Sequence, residues 1–405
     1  MNTTLLIRGL VALALSCCLF TSCGKDDRPE STAPAGPKSL ADIQPGTLSL
    51  EEIRKGLEAP GAHDAFRPEK PFGLVSSLVI PEENPCTPAK VELGRQLYFD
   101  VRLSKDETVS CATCHDPSKG WTDNLPVSKG IDGKTGTRSA PTVINRATHA
   151  AQFWDGRAPS LEEQAKGPIA NPVEMGFTLE AAAKRINGIE GYRIQFERIF
   201  KGAATADTIA QAIAAFERTI LSGGAPYDYW VAWKSWKENP PTEAALANPK
   251  VKERYERAKK GWEEHRMSDA AMRGMELFFG KAECSLCHVG DNFTDEQYWN
   301  LGIGMDKEDF DKGREVVTGL EKDRGAFRTP TLRNIKETAP YMHDGSLKTL
   351  TDVVEHYNKG GTPNPWLSKR IKKLNLTPKE VQDVVTFMEE ALQGTVTSVA
   401  LPRLP

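Results

Sequence analysis

The chain twice sets two thiols three positions apart and follows the second with an imidazole: Cys111-Ala-Thr-Cys114-His115 and Cys284-Ser-Leu-Cys287-His288. Thiols at that spacing can each add to one vinyl group of a haem, and the adjacent histidine then reaches the iron from the proximal side. The competing chemistry is one zinc ion held by all four cysteines. It needs both pairs to converge and leaves both histidines without a role. Two complete motifs in a chain that also carries an export signal favour covalent haem, two groups per chain.

The export signal is read from the first residues. Arg8 precedes an apolar run from Leu10 to Phe20, which ends at Thr21-Ser22-Cys23. That run is too short to span a bilayer and has the shape of a secretory signal, so residues 1–22 are expected to be a signal peptide. Cys23, directly after small residues, is the expected lipidation site, although Phe20 stands where Leu is commoner; ordinary cleavage nearby is the alternative. Gly24 rather than Asp at the next position points to the outer membrane, facing the periplasm. From Gly24 to about Lys70 the chain is rich in Pro, Gly, Ser and charge, and residues 23–74 read as a flexible stalk.

The cysteine count fits an oxidising compartment. Of eight cysteines, three lie in the signal region and four in the motifs; Cys86 is left over and is expected to be a buried, inert thiol. A net charge of −3 gives no reason to expect a nucleic-acid partner.

The elements that position the motifs are written twice. Gly94-Arg-Gln-Leu97-Tyr98-Phe99 precedes the first motif and Gly274-Met-Glu-Leu277-Phe278-Phe279 the second. Downstream, Pro141-Thr142-Val-Ile-Asn145 matches Pro330-Thr331-Leu-Arg-Asn334. Asp155-Gly156 and Asp344-Gly345 each lie ten residues after the matching Asn, and Ser160-Leu161 and Thr349-Leu350 keep the register. The first half carries an extra loop at residues 100–108.

Each half reads as a small helical module. Thr87-Pro88 opens a helix over residues 90–99, and Asp207 precedes one over 208–221, where Ile209, Ile213, Phe216 and Ile220 share a face. Ser268 precedes another over 269–279, and Thr377-Pro378-Lys379-Glu380 is a capping box for a helix that Gly394 closes. No window alternates at period two. The fold class is therefore mostly α, two tandem cytochrome c-like haem domains at residues 75–222 and 268–394, followed by a tail at 395–405. Between the domains, residues 223–267 read as a helical insertion whose Tyr229, Trp230, Trp233 and Trp236 form local core or, as the alternative, a docking surface.

The duplication turns the search for axial ligands into arithmetic. Tyr357 lies thirteen residues past Asp344, and thirteen past Asp155 is Pro168. A tyrosine oxygen can bind iron; a proline side chain cannot. One haem is thus expected to have a protein sixth ligand and the other an open face, with His356 and Met342 as rivals to Tyr357. Around Pro168, at the turn Gly167-Pro168, stand Trp154, Gln164 and Glu174, ten residues apart. A buried carboxylate can move a proton across a peroxide bond, an amide can orient the peroxide, and an indole can relay electrons. On spacing alone, Gln164 and Glu174 read as solvated helix or loop residues, and Trp154 reads as core.

Gln152-Phe-Trp-Asp-Gly-Arg-Ala158, Glu163-Gln-Ala-Lys-Gly-Pro168 and Val173-Glu-Met175 resemble the bacterial di-haem cytochrome c peroxidase/MauG family, as do Leu332-Arg-Asn334 and Ala339-Pro-Tyr341. The resemblance implies a first haem that meets peroxide, with Trp154 as relay, Gln164 as distal partner and Glu174 as acid–base. It implies a second haem that receives electrons, and a calcium ion held through the backbone carbonyls of Thr338 and Pro340. Three departures stand out. Tyr357 replaces the usual Met, which marks the MauG-like branch; residues 125–138 contain no histidine to close the first iron; and Ser139 replaces the calcium-binding Asn.

The function implied is reduction of hydrogen peroxide with electrons from a small periplasmic donor, a cytochrome c or a cupredoxin, by a monomer or homodimer. MauG-type oxidation of a partner protein and simple electron carriage are the alternatives.

Overall fold

The computed structural model describes residues 36–405; the signal segment and Cys23 lie outside the described residues. In chain order the helices are α1 (Leu50–Glu58), α2 (Pro88–Phe99), α3 (Cys111–Cys114), α4 (Leu161–Ala170), α5 (Leu179–Asn187), α6 (Glu190–Phe200) and α7 (Ala206–Glu217). Then come α8 (Pro226–Glu238), α9 (Glu243–Leu246), α10 (Pro249–Glu264), α11 (Asp269–Phe279), α12 (Glu315–Thr318), α13 (Leu350–Lys359) and α14 (Pro378–Thr386), the last running into a π turn at Phe387–Ala391. Among the described residues, strand structure is confined to two short antiparallel pairs, β1 (Ser222–Gly223) with β4 (Thr395–Val396) and β2 (Tyr298–Asn300) with β3 (Ala326–Arg328).

The duplication extends to single contacts. In the first half α2 crosses α7 where Gly94 touches the Ala212 carbonyl and Phe216; in the second, α11 crosses α14 where Gly274 touches the Asp383 carbonyl and Phe387. A Cβ at either glycine would land on backbone, so only glycine lets the helices approach this closely. Each crossing seeds a core. Leu93, Leu97, Tyr98 and Phe216 are buried in the first, and Phe278, Phe293, Phe387 and Val384 in the second. Burial of side chains of this size stabilises by roughly 1.5–3 kcal/mol each.

The halves are stitched by matched asparagines in left-handed conformation, Asn145 (φ 59°) and Asn334 (φ 55°). Asn145 N–H donates to Ile220 O at 3.0 Å and Asn334 N–H to Leu392 O at 2.9 Å, each pinning the chain after the last helix of its half. Ser222 lies between them: its N–H donates to Asn145 Oδ1 at 2.8 Å and its hydroxyl to Asn334 Oδ1 at 2.6 Å.

The insertion is a helical hairpin, α8 against α10. Trp230 is buried in the second core, with Trp233 and Trp262 partly buried beside it, and Tyr229 stacks on His265 at 3.9 Å. Arg333 holds the hairpin down through two 2.8 Å bonds to Asp228, both side chains buried.

Three local expectations are corrected. The stalk does not extend to residue 74: from Gly36 on the chain is folded, and α1, capped by Ser49, buries Ile53 and Leu57 in a small cluster with Ala62 and Ala89. An amphipathic turn and a half-hidden cap outweigh the polar composition there. Thr205, not Asp207, caps α7, because its hydroxyl accepts from Thr208 N–H at 3.2 Å while Asp207 pairs with Lys166 at 3.1 Å. Gly167-Pro168 is not a turn but the end of α4, where Gly before Pro relieves the clash that would otherwise break the helix. The tail residues are also packed: Leu404 is buried, Arg403 pairs with Glu52 at 2.6 Å, and Pro405 lies against Gly191.

Candidate functional site

The first thiol pair bounds the single turn α3; in the second half Cys284 opens the 3-10 turn Cys284–Leu286 and Cys287 is its C-cap. The histidine that follows is fixed by a backbone carbonyl: His115 Nδ1 lies 3.3 Å from Trp121 O and His288 Nδ1 lies 2.9 Å from Phe293 O. A carbonyl only accepts, so Nδ1 carries the proton and Nε2 is left with its lone pair, the form that ligates a metal. Burial lowers both imidazole pKa values, which keeps them neutral. No disulfide forms among the described residues; all four motif thiols are free. Burial holds them protonated, with Cys114 pushed up to about 11 and Cys284 to about 12. The donor set fits a covalently held haem at each motif.

At the second motif, Cys284, Cys287, His288 and Tyr357 converge on one largely apolar cleft. Met342 lines it too, whereas His356 is turned away, its Nε2 2.9 Å from Leu301 O. Burial raises the Tyr357 phenol well above its ordinary value, with the nearby thiols adding to the effect. The cleft reaches toward the first half, where Trp154 forms part of its wall. Trp154 Nε1–H donates to Ser139 O at 2.8 Å, and Ser139 N–H donates to His343 O at 2.7 Å. His343 in turn stacks on Phe327 at 3.6 Å. The aligned pair Trp154 and His343 is thus linked by one residue.

At the first motif, Glu174 is near enough to Cys111 and Cys114 for its charge to raise both thiol pKa values. Its backbone is set by the loop after the motif: Ile131 N–H donates to Glu174 O at 2.8 Å, and Gly130 packs directly on the Val173 carbonyl. Its carboxylate accepts from Asn171 Nδ2 at 2.6 Å. Burial raises the Glu174 pKa, against that hydrogen bond and the charge of Arg157. Gln164 is half-buried on α4, one turn ahead of Pro168 and on the same face.

Ser139, Thr338 and Pro340 all line the cleft. Asn124 Nδ2 donates to Glu337 O at 2.8 Å and Ala339 O at 2.9 Å, so it takes the alternate carbonyls and not those of Thr338 and Pro340. Among the described residues no group of three or more His, Cys, Asp or Glu gathers for a metal, so calcium would rest on neutral oxygens here.

Sequence reasoning missed Arg138, which joins Asp155 at 2.6 Å to Asp311 of the second half at 2.6 and 2.9 Å. It also missed Asn124 and the Asp228–Arg333 pair. An arginine in a polar loop carries no signal of its partner.

Comparison with known proteins places this geometry. Residues 88–235 match the family of di-haem cytochrome c peroxidases. The methylamine utilization protein MauG of Methylorubrum extorquens is 37% identical over 336 residues, 82% of this chain and 86% of that protein. The cytochrome c551 peroxidase of Nitrosomonas europaea is 36% identical over 364 residues, 89% of this chain and 94% of the relative. The crystal structure of a MauG-like protein associated with microbial copper homeostasis superposes with a TM-score of 0.66 at 30% identity, covering 81% of this chain and 96% of that one. The chain belongs to the di-haem cytochrome c peroxidase/MauG family. It is a mostly helical, peroxidase-type oxidoreductase, and its family carries two c-type haems.

Proposed function

We propose that this chain is an exported peroxidase that reduces hydrogen peroxide to water at the first haem, with electrons entering through the second. One observation carries the reading: Pro168 and Tyr357 hold the same position in matching helices. A proline ring has no atom to offer iron, so a haem at the first motif would keep room for substrate, while Tyr357, on the wall of the second cleft, would be the ligand to a haem held there. Haem, when bound, supplies the iron that holds peroxide and stores electrons. Peroxide takes up two electrons and two protons and leaves as two waters.

The chain does the rest. Glu174 accepts the proton of the near oxygen and returns it to the leaving one, a role its raised pKa suits. Gln164 orients the peroxide, and Trp154 relays electrons across the cleft wall. Carbonyls of Thr338 and Pro340, beside Ser139, are the proposed calcium ligands. Cys23 is the proposed lipid anchor, holding the protein at the outer membrane in the periplasm. The donor is a small cytochrome c or cupredoxin.

A second reading, long-range oxidation of a partner protein, draws support from Tyr357 and from the similarity to MauG. The test begins with haem counting by pyridine haemochrome, where two per chain are expected. The fully oxidised protein is then given peroxide with reduced small cytochrome or cupredoxin. Sustained donor oxidation supports the peroxidase. Reaction with one equivalent of peroxide and no sustained turnover with any donor supports the second reading instead. No reaction at all returns the chain to electron carriage.

A further inference from the structure

We propose that Glu217 is a redox-linked proton site of the first haem: its carboxyl takes up one proton when that haem gains one electron, and releases it on oxidation. The electron comes from the donor that reduces the enzyme and the proton from solvent, so charge balances. The inference needs only haem at the first motif and is independent of the peroxide chemistry.

Position is the first argument. Phe216 and Phe387 make the same contact with Gly94 and Gly274, so the next residues, Glu217 and Met388, are equivalent. Met388 is buried and lines the cleft with Cys284, Cys287 and His288. Where the second half turns a thioether toward its haem site, the first turns a carboxyl. Glu217 stands close enough to Cys111 and Tyr98 for its charge to raise the pKa of both, beyond what burial does.

Incomplete pairing is the second argument. Glu217 is 5% exposed and its Oε2 is buried with no hydrogen-bond partner. Arg218 beside it makes no hydrogen bond to that oxygen: its Nε donates to Val79 O at 2.9 Å, its Nη2 pairs with Glu162 at 2.8 Å, and its Nη1 is likewise buried without a partner. The charges that face Glu217 are therefore Arg218 and Arg146, which favour its ionised form, and Glu162, which opposes it. Burial outweighs them and lifts the carboxyl to about 8. An ionised oxygen without a partner is costly in the interior, and the bare Oε2 is the natural place for the proton. Adding an electron to the neighbouring haem makes ionisation costlier still, so reduction and protonation are coupled.

The test is a redox titration of the di-haem protein across pH, following each haem optically. The native first haem is expected to fall in potential as pH rises from neutral to alkaline. Glu217→Gln and Glu217→Met, the latter copying the second half, are expected to raise that potential and flatten its slope, leaving the second haem as it was. A slope unchanged in both variants overturns the proposal. So does a slope that survives in E217Q and vanishes in E174Q. Redox-difference infrared spectra of the native protein give a measurement free of any variant. At alkaline pH, where Glu217 is ionised in the oxidised protein, a protonated-carboxyl band should be gained on reduction, and its absence overturns the proposal even if neither variant retains haem.

Discussion

Pro168 and Tyr357 are each the eighth residue of a helix whose first residue is a buried leucine, Leu161 in α4 and Leu350 in α13. Ser160 and Thr349 cap those helices in the same way, through hydroxyls that accept from the third N–H. The register is set by the caps and the cores, not by an alignment of letters. Two nearly identical frames thus differ at the position from which a side chain can reach iron.

Replacing Tyr357 with Met should raise the reduction potential of the second haem, since a neutral thioether favours Fe(III) less than an anionic oxygen does. Spectroelectrochemistry on the purified variant reads this directly. Unchanged spectrum and potential would hand the ligand role to Met342, the other candidate on the cleft wall.

Glu174→Gln preserves shape and removes the acid–base. Reaction with peroxide should slow by about 10² to 10⁴, while small neutral ligands still bind the first haem. In the native enzyme the rate should rise with pH through a value above the ordinary carboxylate range, because burial raises the Glu174 pKa and the ionised form accepts the first proton. Stopped-flow mixing at several pH values checks both points; a native rate in the variant makes the carboxylate structural.

Gly94→Ala and Gly274→Ala should be equivalent lesions. Each forces a methyl onto a carbonyl of the crossing helix, and overpacking of this kind costs about 1–3 kcal/mol or more. Urea unfolding should show comparable losses, each with early release of structure around its own haem.

Asp228→Asn should free the insertion hairpin. The pair with Arg333 is buried on both sides, and removing one charge strands the other at a cost of about 3–5 kcal/mol. Limited proteolysis within residues 239–248 should accelerate markedly in this variant.

Glu217 also predicts a pH dependence of stability. Its folded pKa of about 8 lies above the ordinary 4.5, so the folded state holds this proton more tightly than the unfolded chain. The stability so conferred is fully present below about 4.5 and is lost as pH rises through about 8. Thermal unfolding of the holo-protein should show this loss, and E217Q should be free of it and gain relative to native at alkaline pH.

Much of this was legible in the chain because the chain repeats itself. Caps such as Thr377 with Glu380, the matched Gly94 and Gly274 and the offset between Asp155 and Pro168 are local signals, and each was readable from spacing; that the two glycines lie at helix crossings was not. What stayed hidden depends on distant partners. Residues 50–58 resembled a polar tether because the surfaces they bury against, around Ala89 and the tail, lie far along the chain. Glu217 resembled any polar residue at a helix end, and only the packing of Phe216 shows which way it faces. Arg138 carried no signal, because its two carboxylates, Asp155 and Asp311, come from separate halves.

The return of the tail has a consequence for biogenesis. β1 finds its only described strand partner in β4, and Pro405 seals a gap over Gly191 on α6. The amino-terminal half is thus closed by residues 395–405, far along the chain from its own last helix, α7. Until those residues are in place, the Ser222–Gly223 edge is bare and Glu52 lacks its ion pair with Arg403, so the first half cannot reach its full stability before the second has been made.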